Sequence, residues 1–170
     1  MNNSEIKTQG INHKKLRPII KKLKERIKGS KIISDMFKEY DVSLDEIDLI
    51  PICFAHIPVS ARTDHGVIYL NYEMLNDDVL DEDHYLVHEI THFLQQTTGT
   101  KPTKGSDDGN YLDNPVEKEG FKNQVGYIAD NKGEKEAKKY VKDLLDYHEV
   151  EGNKNRKSRF EDLMELADQK

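Results

Sequence analysis

The sequence predicts an α+β protein in which a small sheet packs on one motif-bearing helix, with additional helices at both ends of the chain. Apolar residues recur at helical spacing in several segments, VIYLN has the composition of a strand, and YLVHEITHFLQQ places two histidines four residues apart. The 170 residues are enough for one ordinary domain. We predict a disordered segment over residues 1–12, a single domain with a basic N-terminal helix over residues 13–150, and an amphipathic helix over residues 151–170.

The composition favours a cytoplasmic protein with a small core. Hydrophobic and charged residues are almost equally abundant, 35% and 34%, and there is no tryptophan. The longest apolar run, residues 49–59, contains two prolines and a histidine, so it does not predict a membrane span. The polar first ten residues do not resemble a signal peptide. The lone Cys53 also favours a reducing compartment, because small secreted domains more often carry paired cysteines.

The charge is unevenly distributed along the chain. Residues 1–40 contain eleven Lys and Arg against four Asp and Glu, whereas the rest contains fifteen against twenty-eight. The basic stretch over residues 14–31 could contact nucleic acid or an acidic partner. It lacks interleaved aromatic residues and any recognisable DNA-binding module, so we favour a solvated helix resting on an acidic body and do not expect a nucleic-acid partner.

The first half of the chain predicts two helices and then a small sheet. Apolar residues spaced by three and four predict a helix from Lys14 to about Gly29, and a second helix follows over residues 31–40. Residues 48–57 form a β-rich run interrupted by proline. ARTDHG looks like a turn, and VIYLN is the clearest strand, which gives a sheet of two to four strands.

The second half predicts helices only. Acidic residues before residue 80 and glycine at position 99 delimit a helix over about residues 80–98. Asn114 and Pro115 have the residue types of a helix cap and first turn, so a further helix should start there. Two amphipathic helices are predicted at the end of the chain. The first is indicated by the spacing of Tyr140, Val141, Leu144, Leu145 and His148. The second is indicated by the spacing of Phe160, Leu163, Met164 and Ala167.

The two histidines lie away from the apolar side of their helix. At about 100° per residue the apolar side chains share one arc, namely Leu86, Ile90, Phe93 and Leu94, while His88 and His92 lie nearly opposite. A spacing of four stacks both imidazoles one turn apart, close enough to reach a single ion. Glu89 is offset by one position, where a carboxylate is poorly placed as a ligand but can take a proton from water.

A catalytic zinc needs a third protein ligand. His84 extends the four-residue series, but three histidines at steps of four span about 12 Å along the helix axis, so one ion cannot bind all three. Cys53 before a histidine pair is similar to the peptide deformylases, although their Glu-Gly-Cys-Leu signature is absent. The helix that begins at Asn114 offers Glu117 and Glu119, and Glu117 could instead close a capping box with Asn114.

HEITH followed by a Glu-x-x-small pattern on a later helix resembles the gluzincin class of zinc metallopeptidases, particularly its minimal cytoplasmic and phage-type members. The resemblance covers about residues 65–128. It implies a minimal zincin-like fold in which His88, His92 and Glu117 hold one Zn²⁺ and Glu89 is the general base. Gly120 occupies the small position, where the class more often has alanine.

The same resemblance implies a protein or peptide substrate and an oxyanion-stabilising residue, for which Tyr111 and Tyr127 are candidates. Either tyrosine could instead serve in packing, which is the interpretation we favour. VIYLNYEML is similar to the edge strand along which such peptidases bind an extended substrate, although it could also be a core strand. We therefore predict a zinc-dependent metallopeptidase. An inactive peptidase-like binding or adaptor protein is the alternative, and contact with nucleic acid through the basic segment is a further one.

Overall fold

The computed structural model describes residues 6–76, 78–99, 114–148 and 150–167. Within these ranges the chain is α+β, with six α-helices and one small mixed sheet. The α-helices are α1 (His13–Lys28), α2 (Lys31–Glu39), α3 (His84–Thr98), α4 (Pro115–Lys132), α5 (Glu134–Tyr147) and α6 (Asn153–Leu163). The strands are β1 (Ile52–Ala55), β2 (Ala61–Asp64) and β3 (Val67–Asn71), and 3-10 helices span Leu44–Leu49, Tyr72–Asn76 and Val79–Glu82.

The sheet has the order β1-β3-β2, so the strand predicted from VIYLN lies at its centre. β1 runs parallel to β3, while β2 runs antiparallel to it and places Thr63 opposite Ile68. The interpretation of VIYLNYEML as an edge strand is therefore wrong, because β3 has a hydrogen-bonded strand on each side. The alternative, a core strand, agrees with the burial of Ile68 and Leu70. The interpretation of ARTDHG as a turn is also wrong for its first four residues, which form β2. Only His65 and Gly66 turn, with φ of 51° and 79°.

The helices predicted from apolar spacing are present, but the last one is shorter than predicted. α6 ends at Leu163, and residues 164–167, which include the predicted helical positions Met164 and Ala167, form turns. α3 begins at His84 and not near residue 80, because Val79–Glu82 forms a 3-10 turn before it. It ends at Thr98 and is capped by Gly99, whose φ of 68° is the left-handed conformation that glycine adopts without strain. α4 begins as its sequence indicates, since the Asn114 side chain accepts hydrogen bonds from the backbone N–H groups of Val116 and Glu117.

Two hydrophobic clusters flank α4 and hold it in place. The first joins α1, α2 and the sheet to the apolar side of α3, and its most buried members include Ile27, Phe37, Phe54, Ile68 and Ile90. The second joins α4 to α5 and α6 through Val125, Ala137, Val141, Leu145 and Met164. Each fully buried large aliphatic or aromatic side chain contributes about 1.5–3 kcal/mol. The backbone that carries the polar sides of α3 and α4 is thus fixed by packing.

Residues 6–12 lie beside the sheet. Lys7 forms an isolated antiparallel bridge with His56, just beyond β1, and Ile11 is buried. The predicted boundaries at residues 12 and 150 stay predictions. Within the ranges described above, no helix combines the length and apolar character needed to cross a bilayer.

Candidate metal centre

The polar side of α3 is buried against α4 and β2. His88, Glu89 and His92 are exposed by only 6%, 8% and 8%, although all three are polar. Buried polar groups are costly unless they find partners, so their neighbours decide what this side of the helix can do.

Three potential ligand atoms converge between α3 and α4. His88 Nε2 and His92 Nε2 are 3.1 Å apart, and Glu117 Oε1 lies 3.2 Å from the first and 3.1 Å from the second. Zinc–ligand bonds of about 2.0 Å place the corners of a regular tetrahedron ~3.3 Å apart, which is close to these spacings. This buried group of His88, His92 and Glu117 could hold a metal ion.

Glutamine side chains fix which nitrogen of each histidine faces the centre. Gln95 Nε2 donates to the carbonyl oxygen of Val116 and to a carboxylate oxygen of Glu119. Its Oε1 therefore faces His92 Nδ1, which must donate across their 2.8 Å contact. The proton on Nδ1 leaves His92 Nε2 as the ligand atom, and second partners of this kind orient most metal-binding histidines.

Gln124 orients the other histidine in the same way. Its amide nitrogen lies 2.7 Å from His84 Nδ1, and its Oε1 lies 3.1 Å from His88 Nδ1. Burial, together with the charges of Lys132 and His88, lowers the pKa of His84 to about 4. His84 is therefore a neutral acceptor at pH 7, which leaves His88 Nδ1 to donate and its Nε2 to face the centre.

Glycine at position 120 allows α4 to approach the ring of His88. A Cβ atom on Gly120 would lie 2.9 Å from Cε1 and 3.0 Å from Nε2 of that imidazole, closer than real Cβ contacts. The ring of Phe121 flanks the same imidazole, with 4.5 Å between the ring centroids. His88 is thus enclosed by α4 on more than one side, and the small residue is needed at its site.

Glu89 is held beside this group by the strand that the sequence did not reveal. The Thr63 hydroxyl lies 2.8 Å from Glu89 Oε1 and 3.1 Å from the Glu89 carbonyl oxygen. Thr63 belongs to β2, so the carboxylate is positioned by the edge of the sheet. The negative charge of Glu89 also acts on the imidazole of His92, so the carboxylate lies near the group of ligand atoms.

The remaining predicted site residues lie elsewhere. Glu119, the alternative third ligand, accepts hydrogen bonds from the Tyr40 hydroxyl and from Gln95. Cys53 lies on β1 and is not among the converging ligand atoms. Tyr127 is 1% exposed and donates to Asp83 at 2.6 Å, so it serves as an anchor for the start of α3. Tyr111 lies outside the described residues.

Three residues of the centre were not predicted from the sequence, namely Gln95, Gln124 and Thr63. Gln95 follows His92 by three positions, and Gln124 follows Gly120 by four, so helical spacing alone could have placed both of them beside the site. Thr63 gave no comparable signal, because its role depends on the pairing of β2 with β3.

In the metal-free protein the centre attracts a proton. Burial disfavours the charged form of His92, but the hydrogen bond to Glu117 and the charge of Glu89 outweigh burial and raise the pKa of His92 to about 9. Burial also acts against the charged form of Glu117, yet its contacts with the imidazoles of His88 and His92 hold the pKa of its carboxyl well below its usual range. A proton on His92 Nε2 thus occupies the position that a metal would take.

We therefore expect metal binding to release about one proton at pH 7, because His92 must lose its Nε2 proton to become a ligand. Titration calorimetry with Zn²⁺ in two buffers of different ionisation enthalpy measures this number. Release should fall towards zero as the pH rises through about 9. In the metal-free protein, the stability contributed by protonated His92 is complete below its ordinary pKa of 6.5 and is lost as the pH rises to about 9. An absence of proton release at pH 7 would contradict this assignment.

Comparison with protein-family models, with curated proteins and with solved structures finds no match to this chain.

Proposed function

We propose that this chain is a zinc-dependent metallopeptidase of the minimal gluzincin type, in which His88, His92 and Glu117 hold one Zn²⁺. The convergence of these three ligand atoms, with Glu89 buried beside them, carries the proposal. Two imidazoles and one carboxylate are a donor set typical of catalytic zinc, and three protein ligands leave a fourth position for solvent or substrate. Bound zinc would supply a Lewis acid that acidifies water and polarises a carbonyl oxygen.

Glu89 would act as the general base and then as the general acid. Its carboxylate accepts a proton from the attacking water while a new C–O bond forms at the peptide carbonyl. The C–N bond then breaks, and the same proton passes from Glu89 to the leaving nitrogen. Thr63 would act as a positioning residue, because its hydroxyl holds the Glu89 carboxylate through this sequence.

The substrate would bind in extended form along β2. This strand is an edge of the sheet, and its Thr63 side chain contacts Glu89 directly. A peptide that adds to a sheet edge gains main-chain hydrogen bonds, and it presents alternate side chains to the two faces. Such a peptide would pass beside the proposed base, with its scissile carbonyl near the three ligand atoms.

The test combines metal analysis with an unbiased search for cleavage. We expect protein purified without added metal to contain, or to take up, one zinc ion per chain. The loaded protein should generate new amino termini in a complex peptide mixture, detected by mass spectrometry, and a zinc chelator should suppress them. Zinc bound at one equivalent without cleavage of any peptide would favour a peptidase-like binding protein. Failure to bind zinc would refute the proposal.

A further inference from the structure

A cleft of about 690 Å³ opens beside the proposed metal centre. His88 and Glu89 line it on one side, and residues 58–61, which lead into β2, line another. The last turns of α5 complete the wall. The cleft is thus continuous with the proposed base and with the sheet edge along which a peptide would lie.

The walls of this cleft are rich in large apolar and aromatic side chains. Phe121, whose ring packs against His88, contributes to the wall next to the centre. The other large members come from α3 and α5, and they are Tyr85, Tyr140, Leu144 and Tyr147. Pockets with such walls bind ligands mainly by removing apolar surface from water.

Two lining residues are large apolar side chains that remain exposed. Tyr147 is 81% exposed and Val59 is 48% exposed, and both lie at the cleft. Leu49 is 73% exposed but does not line this cleft. A concentration of exposed apolar surface around a concave site indicates a place where a ligand binds.

The charged residues that line the cleft further limit the kind of side chain that it can bind. Among the described lining residues there is no lysine or arginine, while Glu89 and Asp143 contribute carboxylates. The two positive charges of the proposed zinc ion are matched by the carboxylates of Glu117 and Glu89. The described lining residues offer no lysine or arginine to offset the repulsion between Asp143 and an acidic side chain. A large uncharged side chain would meet no such repulsion, and its contact with the aromatic wall would favour binding.

We propose that this cleft is the specificity pocket of the protein and that it binds a bulky apolar or aromatic side chain of the peptide, next to the bond that is cleaved. The inference rests on the proposed function, since it assigns the neighbouring centre to peptide hydrolysis. It adds the substrate class: peptides with a large apolar residue at the cleavage site, and not acidic ones.

The experiment uses blocked Ala/Gly host peptides that differ only at one central guest position, occupied by Phe, Leu, Ala or Asp. Full burial of a large apolar side chain is worth ~10–100-fold in selectivity, so the Phe and Leu guests should exceed the Ala guest by that factor in kcat/KM, with Asp slowest. Tyr147→Ser should reduce several-fold the ratio of kcat/KM for the Phe guest to kcat/KM for the Ala guest. Leu49→Ser, an equally exposed apolar position outside the cleft, should leave it unchanged.

Binding of the same peptides to the zinc-loaded Glu89→Gln variant separates this inference from the proposed function. If the parent protein cleaves nothing, but Phe and Leu peptides bind more tightly than Ala and Asp peptides and Tyr147→Ser removes the difference, the pocket stands and the hydrolase proposal fails. If the parent cleaves every guest equally or prefers Asp, or if Tyr147→Ser behaves like Leu49→Ser, the pocket is refuted while the hydrolase proposal stands.

Discussion

Glu89→Gln is expected to lower peptide hydrolysis by ~10²–10⁴-fold while zinc content and affinity stay close to those of the parent. Glutamine has nearly the same shape as glutamate, and its side-chain oxygen can still accept the hydrogen bond from Thr63. The amide cannot take a proton from water at neutral pH. The loss should therefore fall on kcat and not on metal binding, because Glu89 is not among the converging ligand atoms.

Two further Glu→Gln variants serve as comparisons, one at a proposed zinc ligand and one at an exposed position. Glu117→Gln should lose activity together with zinc, because it removes one of the three ligands and leaves the two imidazoles with a neutral amide. Glu136→Gln, at an exposed position in the first turn of α5, makes the same chemical change and should alter neither property. Measurements of kcat/KM and of zinc per chain for the three variants decide the outcome. If Glu89→Gln cleaves as fast as the parent, Glu89 is not the base.

Features that depend on local sequence could be predicted. Apolar residues at helical spacing give the helices because each helix buries one side, and this pattern is visible without knowledge of the partner. The start of α4 follows from Asn114 and Pro115, whose side chains fit only a few backbone positions. The stacking of His88 over His92 likewise follows from the helix alone, because a four-residue step is almost one turn.

Features that depend on pairing between distant segments could not be predicted. β2 has the sequence ARTD, without the alternation that marks a half-buried strand, and it exists because β3 offers it a hydrogen-bonding edge. The position of Thr63 against Glu89 then follows from the packing of β2 on α3. The order of strands in a sheet is also not visible in local sequence, so the residues of VIYLN do not distinguish an edge strand from a central one.

Whether Glu117 or Glu119 is the third ligand depends on which side of α4 faces α3. The two residues point in different directions because two positions correspond to about 200° around a helix. Glu117 faces the two Nε2 atoms, whereas Glu119 accepts hydrogen bonds from Gln95 and from Tyr40, the residue that follows α2. The second carboxylate therefore supports the centre through Gln95, an arrangement that residue spacing did not suggest.

Gly120→Ala is expected to weaken zinc binding by ~10–100-fold, the range typical of changes that disturb the orientation of a ligand. The added methyl group would lie within 3.1 Å of three ring atoms of His88. The ring cannot simply rotate away, because Phe121 flanks it and Gln124 binds its Nδ1. Either the imidazole or α4 must shift by a few tenths of an ångström, which moves Nε2 relative to the other two ligand atoms.

The same substitution should not destabilise α4 through its backbone, since alanine is favoured over glycine inside a helix by about 1 kcal/mol. A drop in zinc affinity without a matching drop in the stability of the metal-free protein would therefore locate the damage at His88. Gly126→Ala is the matched control on the same helix: its methyl group would meet Ile32 and Leu166, away from the ligands. Gly126→Ala should change the unfolding midpoint but not the zinc affinity. Calorimetry on both variants measures the two quantities. Unchanged zinc binding by Gly120→Ala would show that the close approach of the two helices at this position does not set the ligand geometry.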